Sequence, residues 1–101
     1  MAVELPNSWL LLGQADGTEE SGTGDAVNIT TPNGKMVIAS GAVSDVQIEV
    51  RGELNSGVYT NWVPLDTGLF TDEAARYVEG IDRGFQMRAT STGAVIVQVF
   101  K

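Results

Sequence analysis

The sequence contains no cysteine and no histidine among its 101 residues. The absence of cysteine excludes disulfide bonds and thiolate chemistry, whether as a metal ligand or as a nucleophile. The absence of histidine removes the most common general base and the most common metal ligand. We therefore predict that the chain is not an enzyme, and that it has no catalytic site, no cofactor and no metal site.

Positive charge and long apolar segments are also scarce. Six Lys and Arg residues stand against 13 Asp and Glu, which gives a net charge of −7 at pH 7. Nucleic acids and anionic membrane surfaces require the opposite balance. The apolar run at residues 9–12 is far shorter than a membrane span, and no basic segment typical of a signal peptide precedes it. We therefore predict no nucleic-acid partner, no membrane partner, and synthesis in the cytoplasm without secretion.

The residues that are abundant favour β-structure. The chain has 12 Val, 5 Ile and 9 Thr, which pack well on a pleated sheet, and 12 Gly, which marks turns. Apolar and polar residues alternate in short runs, most clearly over residues 45–51, and no run has the period of a three-turn helix. We predict one domain, residues 1–101, with an all-β fold. The expected architecture is an antiparallel β-sandwich, immunoglobulin-like or jelly-roll-like, of about eight short strands.

The predicted strands cover residues 9–12, 26–31, 35–40, 45–51, 58–63, 75–79, 84–90 and 94–100. Pro32-Asn33-Gly34 predicts a hairpin between the second and third of them, because Pro presets φ and Asn-Gly accepts positive φ. Asn55-Ser56-Gly57 and Ser91-Thr92-Gly93 are predicted as further turns. Residues 14–25 contain three Gly and four acids and are predicted to form a surface loop.

The tripeptide Asp66-Thr67-Gly68 matches the signature of aspartic proteases. That chemistry needs two such aspartates sharing one proton across a dimer axis. Only 33 residues follow Gly68, and residues 77–80 match the later motif of that family poorly. We favour a turn at a strand end, in which Asp66 bonds its own backbone.

Two groups of acidic residues and one group of aromatic residues are candidate binding or catalytic sites. A Ca²⁺ site could use Asp16, Glu19, Glu20 and Asp25, but their spacing is not that of an EF-hand. A glycosidase pair could come from Asp72, Glu73, Glu79 and Asp82, but so small a domain has little room for a sugar cleft. We favour solvated surfaces for both groups. A carbohydrate-binding platform could use Trp9, Tyr59, Trp62, Tyr77 and Phe100, although the face that Trp62 shares with Val58 and Thr60 favours the core.

Residues 46–101 resemble small β-sandwich virion proteins of tailed bacteriophages. In that family a strand ends in a hairpin that is followed by Trp and Leu, as in Arg51-Gly52-Glu53-Leu54-Asn55-Ser56-Gly57 and Trp62-Val63-Pro64-Leu65 here. A later closing hairpin resembles residues 88–97, from Arg88 through Gly93 to Val97. The acidic segment before Val27 has no counterpart in that pattern.

The resemblance implies a capsid decoration (cement) protein. Such a protein would bind the major capsid protein on the outer surface of the head, bridge neighbouring subunits and act as a dimer or trimer. Its location would be the virion surface. A head-tail connector, a tail or fibre-associated domain and a carbohydrate-binding module remain alternatives. The residues predicted to contact a partner are Trp9, Leu10, Tyr59, Ile96 and Phe100, because both faces of residues 94–100 are largely apolar.

Overall fold

The computed structural model describes residues 3–101, which form ten strands and no helix. Every strand pairing is antiparallel, so the all-β antiparallel prediction is confirmed. The strands are β1 Val3–Leu5, β2 Ser8–Leu12, β3 Glu20–Thr23, β4 Val27–Asn28, β5 Lys35–Gly41, β6 Val46–Asn55, β7 Val58–Tyr59, β8 Val63–Phe70, β9 Ala74–Val78 and β10 Phe85–Phe100.

The last strand, β10, is 16 residues long and belongs to both halves of the fold. Its second half lies between β2 and β5, and its first half lies between β6 and the short strands β3 and β4. We call the order β1-β2-β10-β5-β9 region I. Region II consists of β3, β4, the first half of β10, β6 and β8. The small strand β7 pairs only with β6.

A turn at Ser91-Thr92-Gly93 is contradicted, because β10 passes through these residues without reversing. The alternation continues in phase, and the buried residues of β10 are Met87, Ala89, Ser91, Val95, Val97 and Val99. A Cβ atom on Gly93 would lie 2.2 Å from the carbonyl oxygen of Ala42, so only glycine permits this close approach. The predicted closing hairpin over residues 88–97 is therefore wrong.

The hairpin predicted around Pro32-Asn33-Gly34 is also wrong. Asn33 has the positive φ expected of such a turn, at 73°, but β4 and β5 do not pair with each other. Each pairs with a different half of β10, so this segment carries the chain from region II to region I. Strands β1 and β3 were not predicted. The strand predicted over residues 58–63 is interrupted, because β7 ends at Tyr59 and β8 begins only at Val63. Pro64 lies in β8, which pairs only with β6 and is therefore an edge strand.

Buried residues of both regions belong to one hydrophobic core cluster. Region I contributes Trp9 and Val37, and region II contributes Ile48 and Phe70, all of them almost completely buried. Burial of apolar surface at this scale is the main favourable term in folding. The core therefore explains why the inward positions of both regions are apolar.

One charged side chain, Lys35, lies on the inward side of region I with 2% of its surface exposed. Its Nζ donates hydrogen bonds to the carbonyl oxygens of Thr31, Pro32 and Asn33 at 3.2, 2.7 and 2.5 Å. Burial lowers the pKa of Lys35, and the negative charge of Asp82 acts in the opposite direction. The ammonium group thus holds the crossing segment against the start of β5.

The free edges of the two regions differ. In β8 the residues between Pro64 and Leu69 bulge out opposite Ile48. Arg76 of β9 reaches across to donate hydrogen bonds to the carbonyl oxygens of Thr67 and Leu69. The edge of β8 is therefore bulged and partly capped, while β9 pairs with β5 in continuous register from Ala74 to Val78.

Candidate interaction surfaces

The outward face of region I carries no charged side chain. Because directly paired residues point to the same side of a sheet, the registers of β1, β2, β5, β9 and β10 define which positions face outward. All of them hold apolar, Ser or Gln side chains. We call this surface the uncharged face, and its accessible apolar residues are Met36, Ile38, Ala75, Tyr77, Ile96 and Phe100.

The uncharged face is accessible to solvent. Met36 is 40% exposed and Tyr77 is 56% exposed, and they lie opposite each other on β5 and β9. Ile38, Ile96 and Phe100 are half-buried. An antiparallel sheet with one solvated face normally carries polar and charged residues there. An apolar face on a chain with a net charge of −7 is therefore a candidate interaction surface.

The outward face of region II is built around two arginines and one tryptophan. The guanidinium of Arg51 stacks over the rings of Tyr59 and Trp62, at 4.4 and 4.6 Å from their centroids. The guanidinium of Arg88 also stacks on Trp62, at 4.4 Å. We call this cluster the arginine–aromatic cluster. Such stacking is attractive because the ring face is electron-rich.

Hydrogen bonds fix the two arginines of this cluster. Nε of Arg51 donates to Oε1 of Gln86 at 2.8 Å, and Nε of Arg88 donates to Oε1 of Glu49 at 2.7 Å. Gln86 in turn donates to Oδ1 of Asn28 at 2.7 Å. These contacts join β4, β10 and β6 on one face. The arrangement therefore holds the segment that connects β7 and β8 down onto the sheet.

The predicted partner contacts are distributed over three different places. Trp9 and Leu10 are only 1% and 3% exposed, so they pack inside this chain and present no surface to a partner. They belong to the apolar run Trp9–Leu12, and every residue of β2 is buried. Trp9 packs in the hydrophobic core, whereas Leu10 pairs with Gln98 on the outward side of region I and is nevertheless buried there. Tyr59 is half-buried in the arginine–aromatic cluster. Only Ile96 and Phe100 are accessible on the uncharged face.

Met36, Ile38 and Tyr77 were not among the predicted partner contacts, although Tyr77 was a candidate for the carbohydrate platform. Met36 and Ile38 sit on β5, and Tyr77 sits on β9, some forty residues further along the chain. The signal available in the sequence was that the positions flanking the buried ones in these strands are also apolar. Only the pairing of β9 with β5 and of β5 with β10 brings them together.

The carbohydrate platform suggested by the aromatic residues is not assembled. Trp9 is in the core, Tyr59 and Trp62 belong to region II, and Tyr77 and Phe100 belong to region I. Trp62 is half-buried on the outward face and is not the core residue that its neighbours indicated. Its stacking partners are arginines, so part of its ring surface is already covered.

Three of the acidic candidates accept hydrogen bonds from other groups of the chain. Oδ1 of Asp16 accepts a hydrogen bond from the Thr18 amide at 2.9 Å, which lowers the pKa of Asp16. Glu20 accepts hydrogen bonds from the amide of Gly13 and the side chain of Gln14, and Glu73 accepts one from the amide of Gly41. Among residues 3–101, no three Asp or Glu side chains are grouped so that they could hold a metal ion.

Asp66 is exposed and lies in the bulge of β8, so the tripeptide Asp66-Thr67-Gly68 forms part of a strand edge and not a simple turn after a strand. Thr67 has a φ of 63°, which is uncommon for a β-branched residue and accompanies the bulge. The predicted placement at a strand end is therefore wrong by a few residues.

No helix in the described part of the chain could cross a membrane. Comparison with protein-family models finds no match, and neither the search of curated proteins nor that of solved structures finds one. The interpretation of function therefore depends on the two outward faces and on the sequence pattern.

Proposed function

We propose that this chain is a capsid decoration protein of a tailed bacteriophage, which binds the major capsid protein on the outer surface of the head. The observation that carries the proposal is the uncharged face of region I. A small acidic domain that exposes one apolar sheet face can bind there and keep its charged surfaces toward solvent, where they repel other particles.

The resemblance of residues 46–101 to phage virion proteins supports the same proposal in part. Its first element, the β6–β7 connection at Asn55-Ser56-Gly57 followed by Trp62, is present as a turn between paired strands. Its second element is not a hairpin, so it lends no support. The proposal therefore depends mainly on the uncharged face.

The test is binding of the purified chain to capsids that lack it. We expect saturable binding, higher heat resistance of the decorated capsids, and a copy number that is a simple fraction of the major capsid protein. Failure to bind, together with equal heat resistance of bare capsids, would refute the proposal. A few copies per particle would instead assign the chain to the connector or the tail.

A matched pair of variants tests the face itself. Met36→Glu places a carboxylate on the uncharged face, and Leu69→Glu places one at a residue of similar exposure, 50%, in region II. We expect Met36→Glu to weaken capsid binding by about tenfold or more, because an unpaired carboxylate must lose water at the interface. Leu69→Glu should bind as the unmodified chain does.

A further inference from the structure

The segment before β5 contains Asn33-Gly34, and this is the only place in the sequence where glycine follows asparagine. Such a pair is chemically labile, because the backbone nitrogen of the glycine can attack the side-chain amide carbon of the asparagine with no Cβ atom in the way. The sequence therefore makes Asn33 a candidate for deamidation, and the structure shows how its reacting groups are held.

The fold requires both residues of this pair. Asn33 has a φ of 73°, a conformation that asparagine adopts more readily than most residues. A Cβ atom at residue 34 would lie 2.7 Å from the carbonyl oxygen of Val78, the residue that pairs with Lys35 at the start of β5. Only glycine permits this approach. The backbone geometry at the entry to β5 therefore selects a labile pair of residues.

The two groups that would react are free of other contacts. Asn33 is exposed, and within residues 3–101 neither its side chain nor the amide of Gly34 makes a hydrogen bond. Asn55 provides a contrast, because its Oδ1 accepts a hydrogen bond at 2.9 Å from the amide of Ser56, the nitrogen that would have to attack. The amide group of Asn33 can therefore turn toward the next nitrogen, whereas that of Asn55 is held.

A buried cation contacts the peptide bond between Asn33 and Gly34. The carbonyl oxygen of Asn33 accepts a hydrogen bond from Nζ of Lys35 at 2.5 Å, and this carbonyl shares its peptide bond with the Gly34 nitrogen. Attack requires that nitrogen to lose its proton, and resonance then spreads the negative charge onto the carbonyl oxygen. A cationic donor at the oxygen stabilises that charge. Lys35 therefore favours the reactive form of the Gly34 nitrogen.

We propose that Asn33 is a site of spontaneous deamidation, activated by the ammonium group of Lys35. Hydroxide removes the proton of the Gly34 nitrogen, which then forms a bond to Cγ of Asn33. The side-chain nitrogen takes a proton from water and leaves as ammonia, which regenerates the hydroxide. One water molecule opens the resulting cyclic imide at either carbonyl carbon. The products are aspartate and isoaspartate, and no oxidant or reductant is required.

The isoaspartate product loosens the entry to β5. Its main chain runs through the former side chain and is one methylene longer, so the carbonyl group that Lys35 contacts is displaced. The ammonium group keeps only its bonds to the carbonyl oxygens of Thr31 and Pro32. We therefore expect the converted chain to unfold at a lower denaturant concentration than the unconverted chain.

The test of the site is incubation of the full chain at mildly alkaline pH, followed by peptide mass spectrometry. We expect Asn33 to convert about tenfold faster than Asn55, since glycine does not hinder the attack. The variant Asn33→Gly, which keeps the positive φ, should release no ammonia from this segment. An Asn33 that stays intact, or equal rates at the two asparagines, would overturn the site.

A second comparison tests the activation by Lys35. Lys35→Met removes the cation, and the rate at Asn33 in each folded protein is divided by the rate of the same protein in urea, so that the effect of the changed sequence cancels. We expect this ratio to fall by about tenfold in the variant, because a charge-assisted hydrogen bond to the reacting peptide is lost. An unchanged or higher ratio would mean that Lys35 only holds the segment in place.

Hydrogen exchange of the unmodified chain covers the case in which Lys35→Met does not fold. Base-catalysed exchange removes the same amide proton, and neither the amide of Gly34 nor that of Gly57 donates a hydrogen bond within the described residues. After division by the rates in urea, we expect Gly34 to exchange about tenfold faster than Gly57. Equal or slower exchange at Gly34 would overturn the activation. None of these results depends on capsid binding.

Discussion

Two outward faces lie along the same strand, β10, and they differ in how they hold their side chains. In region II the outward residues of β10 include Gln86 and Arg88, which bond and stack with their neighbours. In region I they include Ile96 and Phe100, which are half-buried and have no polar partner on β5 or β9. The face of region II is held by contacts within the chain, whereas the uncharged face of region I leaves apolar side chains accessible to solvent.

We therefore expect substitutions in region II to change the stability of the fold, and substitutions on the uncharged face of region I to change association. Side chains of the arginine–aromatic cluster contact one another, so their loss lowers the free energy of unfolding. Exposed side chains of the uncharged face have few contacts within the chain, so we expect their loss to leave the free energy of unfolding nearly unchanged and to weaken the proposed capsid binding. The following predictions are ordered by the size of the expected effect on stability.

Gly93→Val should have the largest effect, because β10 belongs to both regions and passes close to the backbone of Ala42 at this residue. A Cβ atom at this position would overlap the carbonyl oxygen of Ala42, which belongs to the backbone and cannot move aside. We expect the free energy of unfolding to fall by about 3 kcal/mol. Chemical denaturation would measure it. A change as small as that of a typical surface substitution would contradict the close approach of Gly93 to Ala42.

Trp62→Ala should have the next largest effect. The substitution removes the ring on which both Arg51 and Arg88 stack, together with the partly buried surface of the indole. We expect a loss of about 2 kcal/mol in the free energy of unfolding. Trp62→Phe, which keeps an aromatic ring, should lose less. If both variants are as stable as the unmodified chain, the cluster does not stabilise region II.

Lys35 should make stability depend on alkaline pH. Because burial lowers its pKa in the folded state, the unfolded chain binds more protons between that lowered value and the ordinary one. The free energy of unfolding should therefore rise with pH across this interval, relative to a Lys35→Met variant. Denaturant titrations at a series of alkaline pH values would show the difference. If the difference in the free energy of unfolding between the two proteins stays constant with pH, the pKa of Lys35 is not lowered.

Met36→Ser should have the smallest effect on stability. This side chain is 40% exposed on the uncharged face, and we expect the free energy of unfolding to change by less than about 0.5 kcal/mol. Its association behaviour should change instead, which capsid binding would detect. A loss of stability comparable to that of Trp62→Ala would remove the contrast between the two faces.

The local pattern allowed much of the fold to be predicted. Alternation over residues 45–51 correctly placed the start of β6, and that over residues 84–90 and 94–100 placed most of β10. The predicted turn between the last two runs was wrong because Ser-Thr-Gly composition marks a turn only where the alternation is interrupted. Here the alternation stays in phase through Gly93, which is what a single continuous strand requires.

The candidate surface was far harder to predict than the strands. Of the five predicted contacts, Ile96 and Phe100 lie on the uncharged face, and their apolar character on both sides of the strand was visible in the sequence. Trp9 and Leu10 were predicted at a surface because an apolar run does not show which of its two faces the rest of the chain covers. In the fold every residue of β2 is buried.

The sequence by itself determined the β-character of the chain, its acidic charge, and the side of each strand that is apolar, because these depend on composition and on a period of two residues. Only the tertiary structure decided that β10 serves both regions, that the two arginines meet on Trp62, and that β9 forms an open edge. Those features depend on pairings between residues far apart in the chain, and several pairings satisfy the same alternation equally well. The core that closes between the two regions selects one of them.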